Sequence, residues 1–417
     1  MTQEPRRRAE RAISEPRPAS MGAAQAFIAR SYRTTVGTEE VAPAAAEGRI
    51  LSADIVADAD LPRFDAAAMD GYAMRAADLA QGTETRLRIV DRSAAGHPAA
   101  LALKPGEAMR IFTGAMVPQS ADLVLMQEDC RRDGDFLIVP AERSLRRNIR
   151  RRGEDVVAGT TVMQRGERLT GARLALASAL HLSRLPVYKR LKVTLFSSGD
   201  ELRATDESIG TGQIGDANRP MLRSLLAGMG CDLADRGILR DDPERQIATL
   251  MEAAAESDLI VTSGGASVGE EDHLTGVIRS RGHLEVWRLK IKPGKPVGLG
   301  DIDDCPILAL PGNPVAAAMN GLMLGTPLVA RLSGARDLLP PTLRLPLAAA
   351  VAKRLGRWEA LLGHYVQEPG RPTGVSPEEK TGSAMLSALA AADGFIILPE
   401  PIERCEAGDL VDFVPLR

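Results

Sequence analysis

Three glycine-rich turns in the middle of the chain have a composition suited to binding an anion. They read V-T-S-G-G-A-S-V-G at Val261–Gly269, I-K-P-G-K-P at Ile291–Pro296 and I-L-A-L-P-G-N-P at Ile307–Pro314. Each combines a short apolar run, a turn and a helix-like segment, which points backbone N–H groups and a helix N-terminus at an anion. Lys292 and Lys295 add fixed positive charge. The spacing predicts one phosphate-rich site that several loops of one sheet build together.

Each of these turns also has an explanation that requires no ligand. Adjacent glycines at Gly264 and Gly265 suit a flexible turn between a strand and a helix. The lysines of the second turn would simply be solvated, because most lysines in proteins are exposed. In the third turn, Asn313 suits the N-cap of the next helix and Pro314 suits its first position. Binding is favoured only when the three turns are taken together.

Two carboxylates belong to a fourth turn, F-S-S-G-D-E-L at Phe196–Leu202. Hard divalent cations prefer carboxylate oxygen, so Asp200 and Glu201 are candidate metal ligands. The alternative is a solvated acidic turn that caps the next segment. Asp272 is equally ambiguous, because an acidic residue at a helix start offsets the helix dipole whatever its function. The four turns give the predicted ligand-binding residues Ser198, Gly199, Ser263, Gly264, Gly265, Ser267, Lys292, Lys295, Pro311, Gly312, Asn313 and Pro314.

The first half of the chain holds two further charged segments. F-D-A-A-A-M-D-G-Y-A at Phe64–Ala73 carries Asp65 and Asp70 in an otherwise apolar loop. An ordinary β-turn explains it equally well, since Asp-Gly is common at turns. The segment Arg146–Asp155 begins with five arginines in seven residues. Their planar guanidinium groups suit an oxyanion or phosphate clamp, and the alternative is a solvated basic face.

A strand–helix alternation beginning at Leu191 predicts the sheet that positions the four turns. Such alternation is typical of a doubly wound, mostly parallel α/β sheet, whose ligands bind beyond the carboxyl ends of the strands. The predicted strands are Leu191–Phe196, Ala234–Leu239, Leu259–Thr262, Glu285–Leu289 and Pro306–Leu310. The predicted helices are Arg219–Met229, Pro243–Ala255, Asp272–Ser280 and Val315–Leu332.

The rest of the chain has a different character. Residues 1–20 are polar and predict a disordered arm, and residues 342–417 read as a small β-rich domain after a proline-bearing linker. Two helices are predicted, at Ala23–Arg33 with Phe27 and Ile28 inward, and at Leu169–Leu185. Between them, short apolar runs separated by turns predict a β-rich module with strands Leu87–Val90, Met109–Phe112, Leu123–Met126 and Phe136–Val139.

Composition excludes several classes of protein. The 417 residues, 44% of them hydrophobic, are enough for about two to four domains. An aromatic content of 3% and a net charge of −3 argue against a nucleic-acid binder. No apolar run approaches the length of a membrane-spanning helix, and no secretory signal is recognisable. We therefore expect a cytoplasmic protein without nucleic-acid or membrane partners.

Eight segments, taken in order, resemble the molybdopterin molybdenumtransferase family. This family contains the bacterial molybdenum-insertion enzymes and the E domain of eukaryotic gephyrin. The matching segments span Phe64 to Pro314 and read F-D-A-A-A-M-D-G-Y-A, R-I-F-T-G-A, N-I-R-R-R-G-E-D, F-S-S-G-D-E-L, R-D-D-P, S-G-G-A-S-V-G-E-E-D, I-K-P-G-K-P and L-P-G-N-P.

The resemblance implies an α/β multidomain fold with four parts. A helical linker domain at 21–55 and 156–190 carries a β-rich inserted module at 56–155. A doubly wound molybdopterin-binding α/β domain follows at 191–335, and a small C-terminal β-barrel at 340–417. The family forms a homodimer whose active site lies where the α/β domain of one subunit meets the β-rich module of the other.

The resemblance also implies a reaction. Adenylylated molybdopterin and molybdate give molybdenum cofactor and AMP, with Mg²⁺, and the implied partners include other cofactor-biosynthesis proteins and recipient molybdoenzymes. A phosphoanhydride bond breaks, so a divalent cation and nearby carboxylates are expected. The implied catalytic residues are Asp70, Thr113, Asp155, Glu201, Asp241 and Asp272. Lys292, Lys295, Pro311 and Pro314 match family positions of the substrate loops.

Five positions depart from the family pattern. Arg63 replaces a glycine, Ala66 and Ala67 replace Asn-Ser, Gly215 replaces an aromatic residue and Arg288 replaces a lysine. Two alternative functions stay open. One is molybdopterin adenylylation, because the α/β domain resembles that enzyme too, although that enzyme type is a lone α/β domain. The other is a non-catalytic paralogue that binds the cofactor or acts as a scaffold.

Overall fold

The computed structural model describes residues 19–142, 147–265, 273–294, 296–367, 370, 373–380 and 382–416. Most of the predicted arm, at residues 1–18, lies outside the described residues. So do three predicted site residues, Ser267, Asp272 and Lys295. Predictions at these positions stay predictions.

The N-terminal part, up to residue 190, is mostly β-structure. Its helices are α1 (Met21–Ser31) and α2 (Gly171–Ala179), with short 3₁₀ turns at Pro43–Ala45, Ala76–Asp78 and Gln127–Asp129. Its strands are β1 (Thr38–Val41), β2 (Ile55–Val56), β3 (Ala66–Ala67), β4 (Gly71–Met74), β5 (Thr85–Ser93), β6 (Glu107–Ile111), β7 (Leu123–Met126), β8 (Arg131–Asp133), β9 (Phe136–Val139), β10 (Ile149–Arg150), β11 (Thr161–Met163) and β12 (Leu185–Tyr188).

The β-rich module contains a six-stranded sheet in the order β7-β4-β6-β5-β9-β8. All neighbouring strands are antiparallel except β5 and β6, which run parallel. Strands β7 and β9 have the predicted bounds, and β5 and β6 contain most of the other two predicted strands. The two faces of the sheet pack against separate apolar clusters, one around Met109 and Val124 and one around Met74 and Leu125.

The prediction of a helix over Leu169–Leu185 is wrong in its second half. Helix α2 ends at Ala179, and His181 takes a left-handed conformation with φ 64°. Leu185 then begins β12, which pairs antiparallel with β1. The linker domain predicted as helical is therefore largely extended. Helix α1 is close to its prediction, with Ile28 buried and Phe27 edge-on to Trp287, their ring centroids 5.3 Å apart.

The central part is the α/β domain that holds the glycine-rich turns. Its strands are β13 (Lys192–Ser198), β14 (Leu202–Arg203), β15 (Ile214–Gly215), β16 (Asp232–Leu239), β17 (Leu259–Ser263), β18 (Gly282–Trp287), β19 (Ile291–Lys292), β20 (Val297–Ile302) and β21 (Cys305–Leu310). Its helices are α3 (Asn218–Gly228), α4 (Pro243–Glu256), α5 (His273–Arg281), α6 (Pro314–Asn320) and α7 (Thr326–Leu332).

The main sheet of this domain has the order β16-β13-β17-β21-β20-β18. The first four strands are parallel, and β20 and β18 are antiparallel to their neighbours, so the predicted mostly parallel α/β fold is confirmed. Strand β20 was missed in the sequence. It forms a hairpin with β21 through Asp303 and Asp304, whose φ angles are 47° and 64°. The predicted strand Glu285–Leu289 begins three residues earlier and ends two residues earlier, at Gly282–Trp287.

The long apolar helix predicted over Val315–Leu332 is continuous but not uniform. A π-helical turn at Gly321–Gly325 separates α6 from α7. Pro327 contributes to this widening, because it has no N–H to donate to Met323. By length and composition Pro314–Leu332 is apolar enough to cross a membrane, contrary to the expectation from the sequence, but 89% of it is buried inside the protein. It packs as a core helix.

The C-terminal part is a small curled sheet. Its elements are β22 (Leu343–Pro346), β23 (Val351–Ala352), β24 (Trp358–Val366), β25 (Gly374–Pro377), α8 (Leu386–Ala391), β26 (Gly394–Leu398), β27 (Arg404–Cys405) and β28 (Leu410–Pro415). The strand order is β19-β24-β26-β28-β22, and β25 also pairs with β24. A single bridge between Leu347 and Val375 joins the region after β22 to β25, so the sheet curls back towards its own edge. Strand β19 comes from the α/β domain.

Candidate functional site

The carboxyl ends of three neighbouring parallel strands bring the predicted turns to one edge of the sheet. Ser197 of β13 is in register with Ser263 of β17, which is in register with Leu310 of β21. The N–H of Gly264 donates to the carbonyl oxygen of Leu310 at 3.0 Å. The turns at Phe196–Leu202 and after Ser263 and Leu310 are therefore adjacent, as the parallel sheet predicts.

Two glycines let the turn after β17 pack more closely against its neighbours than residues with a side chain would allow. Gly264 has φ +89°, and a Cβ placed on it would lie 2.6 Å from the backbone oxygen of Ser198. Gly265 has φ +73°, and its Cβ would lie 2.2 Å from the side chain of Leu274. Glycine tolerates both the left-handed conformation and the close approach. The backbone of this turn is therefore packed directly on the end of β13.

Asn218, which the sequence reading missed, fastens two of the turns together. Its Nδ2 donates to Ser263 Oγ at 2.7 Å and to the carbonyl oxygen of Gly312 at 2.6 Å. Its Oδ1 is buried and has no hydrogen-bond partner among the described residues. The signal in the sequence is a polar residue that begins an amphipathic helix, α3. An amide there supplies two donors to turns that follow distant strands.

A buried ionic network holds the start of α3 against β13. Ser197 Oγ donates to Asp216 Oδ1 at 2.9 Å, and Arg219 Nε donates to Asp216 Oδ2 at 2.8 Å. Arg219 also contacts Asp235 at 2.8 Å. Burial opposes the charge of Arg219, but its hydrogen bonds to the two aspartates outweigh this and raise its pKa. The network fixes the position from which Asn218 reaches the turns.

The acidic turn after β13 is tied to the end of β16. The N–H of Asp200 donates to Asp241 Oδ2 at 3.3 Å, and the N–H of Asp241 donates to Asp200 Oδ1 at 3.1 Å. Glu201 is exposed, and a Cβ placed on Gly199 would lie 2.2 Å from its carboxylate. Three predicted carboxylates thus lie on one pair of connected turns. The described residues contain no ready-made group of three or more metal-ligating side chains.

The lysine-bearing turn lies at the same edge, because β20 starts beside the end of β21. Lys292 is the last residue of β19, and its side chain is 55% exposed. Its Nζ lies 3.6 Å from Oε2 of Glu359, a buried carboxylate of the C-terminal domain. The carbonyl oxygen of Gly294 accepts a hydrogen bond from Asn320 Nδ2 at 3.3 Å, which fixes the turn to α6.

The turn at Pro311–Pro314 differs in one respect from the expected helix cap. Asn313 is at the N-cap of α6 and Pro314 is in its first turn, as predicted, but the side chain of Asn313 makes no capping hydrogen bond. The backbone oxygen of Asn313 accepts from Ala317 N at 2.8 Å instead. The N–H of Val315 donates to Ser383 O of the C-terminal domain at 3.0 Å. The exposed Asn313 amide is therefore available to a ligand, whereas the Val315 N–H is occupied.

The β-rich module has a second group of predicted residues. Asp70 Oδ1 accepts from Thr113 N at 2.8 Å and from Thr113 Oγ1 at 2.7 Å. These hydrogen bonds, helped by the charge of Arg110, lower the pKa of Asp70 below its usual 3.8. The Arg110 guanidinium lies 5.1 Å from the Tyr72 ring centroid and 4.7 Å from that of Phe112. Asp70 is therefore a fixed, ionised carboxylate.

The arginine-rich segment packs beside the Asp70 loop. Strand β10 pairs with β3, which places Arg150 opposite Ala66. Arg151 and Arg152 form ion pairs with Asp65 and Asp60, so these two arginines hold the loop rather than forming a clamp. Asp155 is exposed, and its N–H donates to Leu61 O at 2.9 Å.

The departure from the family at Ala66 and Ala67 falls on buried positions. Ala66 is 7% exposed and Ala67 is 1% exposed, and Ala67 belongs to the apolar cluster around Met109. A polar side chain at either position would need a buried hydrogen-bond partner. Alanine is therefore compatible with the local packing around Asp70.

The two groups of predicted residues are separate within one chain. Among the described residues, no hydrogen bond, ion pair or strand pairing joins Asp70, Thr113 or Asp155 to the turns of the α/β domain. The turns of the α/β domain and the fixed carboxylate of Asp70 are therefore two separate groups of residues on different domains.

The chain matches known proteins over nearly its whole length. Family models match in three parts: "MoeA N-terminal region (domain I and II)" at residues 19–180, "Probable molybdopterin binding domain" at 194–331 and "MoeA C-terminal region (domain IV)" at 344–416. The molybdopterin molybdenumtransferase of Haemophilus influenzae is 36% identical over 375 residues, which covers 89% of this chain and 92% of that protein.

A second relative and a solved structure indicate the same family. Molybdopterin molybdenumtransferase 2 of Mycobacterium tuberculosis is 34% identical over 87% of this chain and 91% of its own length. The crystal structure of the molybdopterin biosynthesis MoeA protein from Pyrococcus horikoshii OT3 superimposes with a TM-score of 0.82 at 28% identity, covering 95% of this chain and 99% of that one. Because these family models and relatives cover most of its length, this chain belongs to the molybdopterin molybdenumtransferase family.

Proposed function

We propose that this protein inserts molybdenum from molybdate into adenylylated molybdopterin, forming the molybdenum cofactor and releasing AMP. The observation that carries the proposal is the convergence of four turns at one sheet edge, in a chain of which 89% matches a molybdenumtransferase. A lone adenylylating domain would need neither the β-rich module nor the C-terminal barrel. The substrate carries several phosphate oxygens, which match the backbone donors and the lysine of the turns.

The α/β turns bind the pterin substrate in this proposal. The backbone N–H of Gly265 and the hydroxyl of Ser198 lie at the edge where the strands end, whereas the N–H of Gly264 already donates to the carbonyl oxygen of Leu310. Lys292 supplies positive charge and the Asn313 amide supplies a hydrogen-bonding group. Ser263 has a different role, because its hydroxyl already accepts from Asn218. It keeps the turn in place.

The acidic residues fit a magnesium ion. Mg²⁺ is bound in proteins by one or two carboxylates together with substrate phosphate oxygens and water. Asp200, Glu201 and Asp241 offer such carboxylates on two connected turns. When bound, the ion would neutralise charge on the phosphoanhydride that breaks. The protein itself orients the carboxylates through the reciprocal backbone hydrogen bonds of Asp200 and Asp241.

Asp70 and Thr113 act on the molybdate side, and we propose that they reach the site in a homodimer. Each site then combines the α/β turns of one subunit with the β-rich module of its partner. The separation of Asp70 and Thr113 from the α/β turns within one chain supports this arrangement. We place the reaction in the cytoplasm, with other cofactor-biosynthesis proteins and molybdoenzymes as partners.

Molybdate-dependent release of AMP tests the proposed function. Purified protein is supplied with adenylylated molybdopterin and Mg²⁺, and AMP is quantified with and without molybdate. We expect release only when molybdate is present. An adenylyltransferase would instead produce adenylylated molybdopterin from ATP. A cofactor-binding scaffold would bind the pterin and release no AMP, which would overturn the proposal.

Mixing two inactive variants tests the shared site. Asp70→Ala and Lys292→Ala proteins are mixed under conditions that allow subunit exchange. Each heterodimer then has one intact site, so we expect recovery of about one quarter of wild-type AMP release from a random mixture. Asp70→Ala mixed with Asp70→Asn is the control and should recover nothing. A mixture that stays as inactive as its parents would place each site within a single chain.

Replacing Asn218 by Ala should weaken pterin binding. Ser263 and Gly312 would lose their shared donor, so we expect molybdopterin affinity to fall about tenfold and stability by about 1–3 kcal/mol. Fluorescence titration and thermal unfolding measure the two effects. Ser257→Ala is the control, because its buried hydroxyl bonds Thr194 at the opposite end of the strands. It should lower stability alone, and unchanged affinity in Asn218→Ala would contradict the assigned role.

A further inference from the structure

Strand β19 joins the lysine-bearing turn to the C-terminal domain. Ile291 and Lys292 pair in parallel with Trp358 and Glu359 of β24. The N–H of Trp358 donates to the carbonyl oxygen of Lys290 at 2.9 Å, and Ile291 and Trp358 are both buried. The backbone that carries Lys292 is thus part of the C-terminal sheet as well as part of the α/β domain.

Glu359 is a buried carboxylate with two cationic neighbours. Its side chain is 3% exposed. Arg357 Nε donates to Glu359 Oε1 at 2.9 Å, and Lys292 Nζ lies 3.6 Å from Oε2. A buried carboxylate is stable only when it is paired and hydrogen-bonded. Arg357 makes the closer contact, so Glu359 is already partnered, and its second oxygen is left to restrain the ammonium group of Lys292.

We propose that Glu359 of the C-terminal domain is a positioning residue, which holds the Lys292 ammonium group at the edge where the pterin phosphate binds. Lys292 has a flexible four-carbon side chain that is about half exposed and would otherwise sample many rotamers. Glu359 limits that freedom before substrate arrives, which lowers the entropy lost on binding. This inference rests on the proposed role of Lys292 in binding substrate.

A positioning role and a purely electrostatic role for Glu359 predict opposite changes in molybdopterin affinity for Glu359→Gln. Two cations and one carboxylate form the cluster, so the substitution raises its net charge from +1 to +2. If charge alone governed binding, molybdopterin would bind Glu359→Gln more tightly. If Glu359 positions Lys292, affinity falls in spite of the added positive charge.

A double-mutant cycle separates these outcomes. Molybdopterin binding is titrated by its fluorescence in wild type, Glu359→Gln, Lys292→Ala and the double variant. We expect Glu359→Gln to weaken binding about tenfold when Lys292 is present and less than about twofold when it is absent, a coupling of the size found within one ionic network. Equal losses in both backgrounds, or tighter binding in Glu359→Gln, would overturn the proposal.

Two further variants keep the test interpretable. Glu378→Gln is the matched control, because Glu378 pairs with His364 in the same domain without contacting the turn. It should leave affinity unchanged. If Glu359→Gln does not fold, Glu359→Asp keeps the charge and shortens the reach. Glu359→Asp should weaken molybdopterin binding only in proteins that keep Lys292. An equal loss of affinity in the Lys292→Ala protein would again refute the positioning role of Glu359. AMP release by wild type, measured in parallel, shows separately whether the proposed reaction occurs.

Discussion

Replacing Asp70 by Asn is expected to slow molybdenum insertion by about a hundredfold or more. The change keeps the shape of the side chain, and its Oδ1 still accepts from Thr113 N and Oγ1. Only the negative charge is lost. Because the hydrogen bonds from Thr113 lower the pKa of Asp70 from its usual value, the wild-type carboxylate is ionised at neutral pH. A slower rate in the variant at neutral pH therefore reports the missing charge.

Molybdopterin affinity should stay within about twofold in the same variant, since the proposed function places the pterin on the α/β turns and not beside Asp70. Affinity is measured by fluorescence titration, and insertion by AMP release and by transfer of the product to an apo-molybdoenzyme. Asp91→Asn is the matched control. Asp91 also accepts backbone N–H groups in the β-rich module, from Arg92, Ala100 and Leu101, and is not part of the site. Weak pterin binding with normal insertion in Asp70→Asn would contradict this division of roles.

Replacing Gly264 by Ala should damage both stability and binding. A Cβ on Gly264 would lie 2.6 Å from the backbone oxygen of Ser198, which cannot move without displacing the end of β13. The φ of +89° adds a conformational cost of about 1–3 kcal/mol for a residue with a side chain. The turn must shift, so we expect molybdopterin affinity to fall at least about tenfold, because binding contacts depend on fixed geometry.

Chemical denaturation and pterin titration measure these two effects. Gly276→Ala on α5 is the control, because a Cβ there meets no atom within 4 Å. That change should leave affinity unaltered and stability equal or slightly higher, since Ala favours a helix. A Gly264→Ala protein with wild-type stability and affinity would show that the turn is not held against β13 in the way described.

The sequence predicts the framework of the site because local patterns encode it. Apolar runs with helix-like segments between them gave β13, β17 and β21 nearly correctly, and parallel pairing then places their turns together. Strand β20 was missed because Gly298 and Gly300 remove the side chains that would show a strand pattern. Glycine is required at position 300, since a Cβ on Gly300 would lie 1.8 Å from His283 O.

Contacts between distant parts of the chain were not predictable. Nothing near Asn218 shows that it reaches Ser263 and Gly312, because Asn218 begins α3, Ser263 ends β17 and Gly312 follows β21. Strand β19 has two residues and no pattern of its own, and its partner β24 begins at Trp358. Such pairings depend on tertiary structure, whereas the capping and turn preferences of Pro314 and Gly264 are local and were recognised.

The pairing of β19 with β24 limits how this protein can be divided or recombined in evolution. A fragment ending near residue 335 would leave Ile291 uncovered and Lys292 without Glu359, and would also free the Val315 N–H that Ser383 holds. Two of the glycine-rich turns would then lose contacts that the C-terminal domain supplies. Exchange of that domain between homologues is therefore constrained by these turns, so residues on β24 and on the turns should change together over evolutionary time.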